Sequence, residues 1–278
     1  MTVHPFEIAG SGGLTVRGDL HVPAGSGPHP VVVGIHGFKG FRNWGFWPHV
    51  AAGLAEGGVA CVRFDASHNG VGPGGLEFDE PELFELNTLA REEEDLTALL
   101  AWVRSGCGGA GGSIDAARLG LLGHSRGGGL AVIRAAADPA VRATVALAPI
   151  CTTLRFPPEL LDRGRRDGFL PIVNTRTGEV QRFGRDALAE LDARTDLHDI
   201  ATHHAARITT PLLVCHGTGD TSVPADEGRR IARAAPAGRF EPFDGADHVL
   251  DCRHPWAGTT PHLERFLDLV TAFFRTML

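Results

Sequence analysis

Leu121-Leu-Gly-His-Ser-Arg-Gly-Gly128 is the most informative segment of the chain. It contains the pattern Gly-x-Ser-x-Gly, with Ser125 at its centre between Gly123 and Gly127. A short apolar run precedes the pattern and a glycine-rich helical segment follows it, which indicates a sharp turn from a buried strand into a helix. Such a turn strains its central residue and needs small residues two positions to either side. We therefore predict that Ser125 is a nucleophile; the alternative is a serine that only caps the helix.

Outward from this turn, the chain alternates between predicted strands and helices. Short apolar runs without polar alternation are typical of strands buried on both faces of a parallel sheet. Such runs are Val31–Ile35, Val59–Phe64, Leu119–Leu122, Ala143–Ala148 and Leu212–Cys215. Apolar spacings of three and four residues predict helices over Trp47–Glu56, Leu89–Arg104, Gly128–Ala137, Ala225–Ala235 and His262–Met277. The pattern predicts an α/β fold: a mostly parallel, twisted sheet of eight strands with helices on both faces.

One segment, residues 152–208, interrupts this alternation, which then resumes. Within the segment, Asn174-Thr-Arg-Thr-Gly-Glu179 is typical of a hairpin turn between apolar and β-branched residues. We predict that residues 152–208 are an inserted lid within a single domain that covers residues 1–278.

The turn at Ser125 and the His36-Gly37-Phe38 turn after the first central strand resemble the α/β-hydrolase superfamily over nearly the whole chain. Within it, the Gly-x-Ser-x-Gly-Gly pattern resembles dienelactone hydrolase and prolyl-oligopeptidase-like serine hydrolases, and the His-Gly-Phe turn is similar to feruloyl esterases. Dienelactone hydrolase has a cysteine where this chain has Ser125, and no segment is long enough for the propeller of prolyl oligopeptidases. The resemblance therefore implies the α/β-hydrolase fold and a hydrolytic activity, without a particular substrate.

A serine nucleophile needs a histidine to take its proton and a carboxylate to orient that histidine. In the resembling families, the acid follows the strand after the lid and the histidine follows the last strand. Asp220 ends the segment His216-Gly-Thr-Gly-Asp220, and His248 ends Gly245-Ala-Asp-His248, so these two residues stand at those positions. The resemblance thus implies a catalytic triad of Ser125, Asp220 and His248.

Several neighbouring acids and histidines are weaker alternatives. We interpret Asp247 and Asp251 as solvated turn residues, and Asp226 as a carboxylate favoured at the start of a helix. His216 and His36 each precede a glycine at a strand end, where we expect them to brace loops by hydrogen bonds.

The tetrahedral intermediate of acyl transfer needs two amide donors for its oxyanion. We predict these donors to be the backbone N–H groups of Arg126, directly after the nucleophile, and of Phe38. Nearby aromatic residues predict an apolar substrate pocket, to which Asn174 of the lid would also contribute: Phe41, Trp44, Phe46 and Trp47. The alternative is that Phe46 and Trp47 begin a helix that faces the core.

Composition argues against several classes of function. The 278 residues include 26 basic and 33 acidic side chains, a net charge of −7, and no basic cluster is denser than Arg163–Arg166, which argues against nucleic acid as a partner. Apolar runs fall short of the roughly 18–20 residues that span a bilayer, and no signal-peptide pattern is evident, so we predict a cytoplasmic protein without a membrane span. The five cysteines lack Cys-x-x-Cys spacing, and we predict no disulfide, metal or cofactor.

These features together predict a serine hydrolase without a cofactor, and first a carboxylesterase for a small-molecule ester. Peptidase, thioesterase and lactone hydrolase activity remain alternatives on the same triad, as does a ligand-binding protein without turnover. A homodimer is left open.

Overall fold

A large sheet forms the centre of the computed structural model, which describes residues 1–109, 113–174 and 178–278. In chain order the strands are β1 (Thr2–Ala9), β2 (Thr15–Val22), β3 (His29–Ile35), β4 (Ala60–Asp65), β5 (Ile114–His124), β6 (Val141–Leu147), β7 (Phe169–Val173), β8 (Val180–Gly184), β9 (Leu212–Gly217) and β10 (Gly238–Phe243). The large sheet has the order β1-β2-β4-β3-β5-β6-β9-β10. β2 runs antiparallel to β1 and to β4, and the pairs from β4 to β10 are parallel. The predicted eight-stranded, mostly parallel sheet is confirmed.

Helices cover both faces of this sheet, as predicted. In chain order, the α-helices among the described residues are α1 (Trp47–Glu56), α2 (Pro81–Leu86), α3 (Leu89–Arg104), α4 (Arg126–Ala137), α5 (Pro158–Asp167), α6 (Arg185–Ala193), α7 (Ile200–His203), α8 (Ala225–Ala234) and α9 (Pro261–Met277). Apolar residues of α3, α4 and α8 pack in one buried cluster, and those of α1 and α9 pack in a second. Successive residues of a strand face opposite sides, so Val31 and Val33 of β3 belong to the first cluster and Val32 to the second.

The parallel strands place the polar loops of the sheet at one edge. β3, β5, β9 and β10 run in the same direction, so the loops after their carboxyl ends lie on the same side of the sheet. The residues that we predicted for the triad and for the oxyanion donors follow these four strands.

The inserted segment contains a smaller body that we call the cap, formed by the described parts of residues 158–193. Its elements are α5, the antiparallel hairpin of β7 and β8, and α6. The cap has its own apolar cluster, made by Leu161, Leu170, Phe183, Ala187, Leu188 and Leu191. Thr175, Arg176 and Thr177 of the predicted hairpin turn lie outside the described residues, as do residues 110–112 of the glycine-rich connector.

The cap is narrower than the lid we predicted over residues 152–208. Leu197, Ile200 and Ile208 are buried in the main core together with residues of α4 and α8. Short helical pieces that lie against two core helices exclude water there, so the last part of the inserted segment packs with the main body.

The length of the helices and the state of the cysteines are two further features of the fold. Within the described ranges, no helix is both long and apolar enough to cross a membrane. Cys61, Cys107, Cys151, Cys215 and Cys252 are buried free thiols.

Candidate active site

Ser125 occupies the sharp turn between β5 and α4. Its backbone angles are φ 57° and ψ −118°, a strained conformation for a residue with a side chain. Backbone hydrogen bonds hold this turn in place: Ser125 N donates to Leu147 O at 2.9 Å, and Ser125 O accepts from Gly129 N and Ile150 N at 3.1 Å each. The strain is thus sustained by contacts with β6 and with the segment that follows it.

The two glycines of the pattern are required by close backbone contacts. A Cβ atom on Gly123 would lie 2.0 Å from Gly127 O, and a Cβ on Gly127 would lie 2.3 Å from His36 O. Both neighbours are backbone atoms, which cannot rotate away as a flexible side chain could. Any side chain at either position would therefore force β5, α4 or the turn after β3 to shift.

Gly123→Ala is expected to destabilise the fold by at least about 2 kcal/mol, since overpacking against backbone costs about that much. The same shift would displace Ser125 and lower kcat/KM for an ester by roughly 100-fold. Gly74→Ala is the matched control, because a Cβ on Gly74 meets no atom within 4 Å. Denaturant unfolding and ester kinetics of both variants measure the effect; equal stability of the two variants would contradict it.

Ser125, His248 and Asp220 lie together at this edge of the sheet. His248 Nε2 is 3.0 Å from Ser125 Oγ, and His248 Nδ1 is 2.6 Å from Asp220 Oδ2. Asp220 follows β9 and His248 follows β10, so adjacent parallel strands bring the two residues side by side. The structure thus assembles the three residues predicted for the triad into one continuous chain of hydrogen bonds.

Asp220 is held as a carboxylate by donors on both of its oxygens. Oδ1 accepts from Ser222 N at 2.8 Å and from Val223 N at 2.9 Å, while Oδ2 accepts from His248 and from His216 Nε2, at 3.2 Å. Burial opposes ionisation, but the hydrogen bonds from His216 and His248 outweigh it and hold the Asp220 pKa well below its ordinary value. Asp220 is therefore ready to stabilise positive charge on His248.

His216 supports this carboxylate more directly than a loop brace would. Its Nε2 lies 2.9 Å from Val223 O, and a carbonyl only accepts, so Nε2 carries the proton that it also directs at Asp220. The contact with Val223 O is the bracing hydrogen bond that we expected, and the contact with Asp220 was not predicted. In the sequence, the separation of four residues between His216 and Asp220 could have indicated this contact.

His124, the residue before Ser125, is a further neighbour of His248 that we did not predict. Its Nε2 donates to His248 O at 3.0 Å, and the two ring centroids are 4.8 Å apart. Burial, reinforced by the charge of His248, lowers the His124 pKa to about 3, so the ring is neutral at physiological pH. His124 thereby holds the loop of His248 without placing a second positive charge beside it.

The two predicted oxyanion donors belong to segments that adjoin Ser125. Arg126 is the first residue of α4, and the first amides of a helix have no acceptor within the helix. Phe38 lies in the turn after β3, where a Cβ on Gly37 would be 3.0 Å from Ser125 Cβ. The Arg126 guanidinium lies 5.4 Å from the centroid of the Phe38 ring, so the side chains of the two residues also meet.

Comparison with known proteins identifies the fold. No protein-family model matches the chain. Est1E from Butyrivibrio proteoclasticus, with ferulic acid bound, has a TM-score of 0.76 at 20% identity over 98% of both chains. The alpha/beta hydrolase GrgF from a Penicillium species has a TM-score of 0.70 at 18% identity over 100% of this chain and 99% of its own. The chain has the α/β-hydrolase fold. Among curated proteins, esterase YjfP of Escherichia coli strain K12 is 26% identical over 90% of each chain.

In this α/β-hydrolase fold, a cavity of about 760 Å³ opens in front of Ser125. Of the predicted pocket residues, Phe41, Trp44, Trp47 and Asn174 line it. Phe46 does not line it, which corrects our prediction for that residue. Phe46 is buried instead, with its ring edge-on to His124 at 5.4 Å between centroids.

Residues of the cap form part of the cavity wall. Phe156, just before the cap, and Ile172 and Phe183 of its hairpin line the cavity together with Phe38 of the main body. Phe38 packs edge-on against Phe183 with 6.1 Å between ring centroids. The cap therefore makes the walls of the cavity largely apolar.

Proposed function

We propose that the protein is a serine hydrolase that cleaves carboxylic esters through an acyl-enzyme at Ser125. The observation that carries this proposal is the chain of hydrogen bonds from Asp220 through His248 to Ser125 Oγ, at 2.6 and 3.0 Å, on the floor of an apolar cavity. A serine within hydrogen-bond reach of a histidine that a carboxylate orients is the arrangement that activates a hydroxyl nucleophile.

Acylation begins when Ser125 Oγ attacks the ester carbonyl and passes its proton to His248 Nε2. Asp220 stabilises the imidazolium that forms, and the amides of Arg126 and Phe38 bind the oxyanion. Collapse of the tetrahedral intermediate breaks the bond to the alcohol, which leaves with the proton from His248. The acyl group remains as an ester on Ser125.

Deacylation repeats the same proton transfers with water. His248 takes a proton from water as the water attacks the acyl carbonyl, and returns it to Ser125 Oγ as the acid leaves. The buried, hydrogen-bonded carboxylate of Asp220 stays ionised throughout, because its pKa lies well below its ordinary value. The cycle consumes one ester and one water and needs no further reactant.

Esters are the favoured substrates because the cavity wall is mostly apolar and aromatic, which suits an acyl or aryl group. The names of similar proteins support the same choice: YjfP is called an esterase, and the Est1E structure contains ferulic acid, a carboxylic acid. We therefore place esters ahead of thioesters, lactones and peptides.

An alkyl fluorophosphonate tests the proposal directly. Attack by Ser125 Oγ on phosphorus expels fluoride, and we expect one phosphonyl group on the peptide that contains Ser125, located by mass spectrometry. Labelling should stop after heat denaturation, since only the folded chain activates the hydroxyl. A folded protein that takes up no label, or takes it up at another serine, would refute the proposed nucleophile.

A further inference from the structure

Two of the cationic side chains that line the cavity already have carboxylate partners. Arg126 Nε donates to Glu92 Oε2 at 3.0 Å. Arg155 Nη1 lies 2.9 and 3.1 Å from the two carboxylate oxygens of Glu227. Charges paired at these distances largely cancel, so neither pair leaves a strong net charge in the cavity.

Lys39 also lines the cavity, but it has no such partner. In residues 1–109, 113–174 and 178–278, its Nζ makes no ion pair, and its hydrogen bond goes to the carbonyl oxygen of Val173 at 3.3 Å. The side chain is half-buried, and burial lowers the pKa of its ammonium group. A partly buried charge beside a single neutral acceptor is unfavourable, so this position favours an anion that arrives from solution.

The carboxylate that lines the same cavity is not available to neutralise Lys39. Glu190, on α6 of the cap, accepts hydrogen bonds from Leu89 N and Ala90 N at 2.7 Å each. These are the first two amides of α3, where the helix dipole also favours a negative charge. Glu190 is thus bound to the first turn of α3. Among the described residues that line the cavity, it is the only acidic one.

Lys39 lies in the turn after β3 and lines the same cavity as Ser125. Its φ of 58° lies in the left-handed region, which is unfavourable for lysine, and the turn is closed by Gly40 N donating to Gly37 O at 2.9 Å. Phe38, which contributes the proposed oxyanion donor, is the preceding residue. A substrate whose carbonyl oxygen accepts from Phe38 N therefore occupies the same cavity that Lys39 lines.

Arg253 is the other cavity-lining cation without an ion pair among the described residues, and its position differs. Its side chain is exposed, so water hydrates and screens its charge. The half-buried Lys39 should consequently interact more strongly with an anion in the cavity than Arg253 does.

We propose that the ester substrate carries a carboxylate group that binds Lys39. This inference rests on the proposed ester hydrolysis at Ser125 and specifies its substrate class as anionic esters, such as monoesters of dicarboxylic acids or hydroxybenzoic acids acylated on their hydroxyl group. Lys39 acts as a specificity-determining residue, since its contact with the substrate leaves the bonds that form and break unchanged.

Two matched pairs of esters test this inference. Monoethyl succinate and ethyl levulinate differ in a charge on the acyl part, and 4-acetoxybenzoate and 4-acetoxybenzamide differ in a charge on the alcohol part. We expect wild type to favour the anionic member of at least one pair by roughly 10- to 100-fold in kcat/KM, which corresponds to a charge-assisted hydrogen bond. We expect Lys39→Gln to remove this preference, mainly through KM, and Lys39→Arg to retain most of it.

Control variants separate the effect of Lys39 from the effect of other positive charges on the protein. Arg253→Gln removes the same charge at the exposed side of the cavity and should change the preference by less than about threefold, given solvent screening. Arg166→Gln, on an exposed residue of α5 outside the cavity, should change no kinetic constant. Circular dichroism and denaturant unfolding of Lys39→Gln should match those of wild type, which shows that the variant is folded.

Three results would overturn the inference alone: equal rates within both pairs in wild type, a preference that survives in Lys39→Gln, or a preference that disappears in Arg253→Gln. Absence of turnover for all four esters, together with absence of fluorophosphonate labelling, would overturn the proposed function and this inference with it. The two failures are therefore distinguishable.

Discussion

Ser125→Ala is expected to lower kcat for ester hydrolysis on the order of 10⁵- to 10⁶-fold, the largest effect of any single substitution in this protein. Removal of Oγ leaves His248 Nε2 without the hydroxyl that lies 3.0 Å away, so no acyl-enzyme can form. The amides proposed as oxyanion donors are unaffected, and a residual rate of about 10³-fold over water should remain from them and from substrate binding.

Folding should be preserved in this variant, because alanine keeps the Cβ atom and the backbone hydrogen bonds of the turn remain possible. Burst-phase and steady-state kinetics on a 4-nitrophenyl ester measure the loss, and Ser105→Ala at the end of α3 serves as the matched control. Ser125→Ala with more than a tenth of wild-type kcat would show that the reaction uses another nucleophile.

Asp220→Asn is expected to lower kcat about 10⁴-fold while the fold persists. The carboxylate accepts four hydrogen bonds, two on Oδ1 from Ser222 N and Val223 N and two on Oδ2 from His248 Nδ1 and His216 Nε2. An asparagine replaces one of these acceptors with an NH₂ donor. In either orientation of the amide, its NH₂ group therefore points at groups that are themselves hydrogen-bond donors.

The two amide orientations harm the site differently. With NH₂ toward the histidines, His248 must accept on Nδ1 and carry its proton on Nε2, which cannot then take the proton of Ser125. With NH₂ toward Ser222 N and Val223 N, the turn that holds Asp220 loses two hydrogen bonds. Both orientations remove the negative charge that stabilises the imidazolium of His248.

Asp226→Asn is the matched control for Asp220→Asn. Asp226 lies in the first turn of α8, six residues further along the chain, and its side chain is 90% exposed. We expect kcat within twofold of wild type for this variant. A loss of less than tenfold in Asp220→Asn would show that Asp220 does not orient the base, and the proposed triad would then need a different acid.

The turn at Ser125 could be predicted because its causes are local. An apolar strand, a glycine two residues before and a glycine two residues after Ser125 describe a strained turn without reference to the rest of the chain. Asp220 and His248 are separated from Ser125 by 95 and 123 residues, and their prediction used the order along the chain that the family resemblance implies. The parallel direction of β9 and β10 converts that order into proximity.

The aromatic residues from Phe41 to Trp47, at the start of α1, show where prediction from the sequence ends. Phe41, Trp44 and Trp47 line the cavity, whereas Phe46 is buried against His124. All four have similar hydrophobicity, and their different surroundings follow from how the segment packs on β5 and the loop of His248. The sequence alone therefore does not show in which direction each of these side chains packs.

The packing of the inserted segment could not be predicted from the sequence either. Its interruption of the strand and helix alternation is visible in the sequence, but Leu197, Ile200 and Ile208 pack with the main core while the cap residues form a separate cluster. Short helices carry too few periodic positions to show which body they join.

Local sequence therefore accounts for the α/β alternation and for the glycine-flanked turn at Ser125, since backbone strain and apolar periodicity act over a few residues. Long-range packing decides which neighbours support those side chains: His216 on Asp220, His124 on His248, and Glu190 on the end of α3, which leaves Lys39 without an acidic partner in the described cavity wall. Hydrogen bonds and charge pairing act over a few ångströms, and only the folded chain brings residues so distant in sequence within that range.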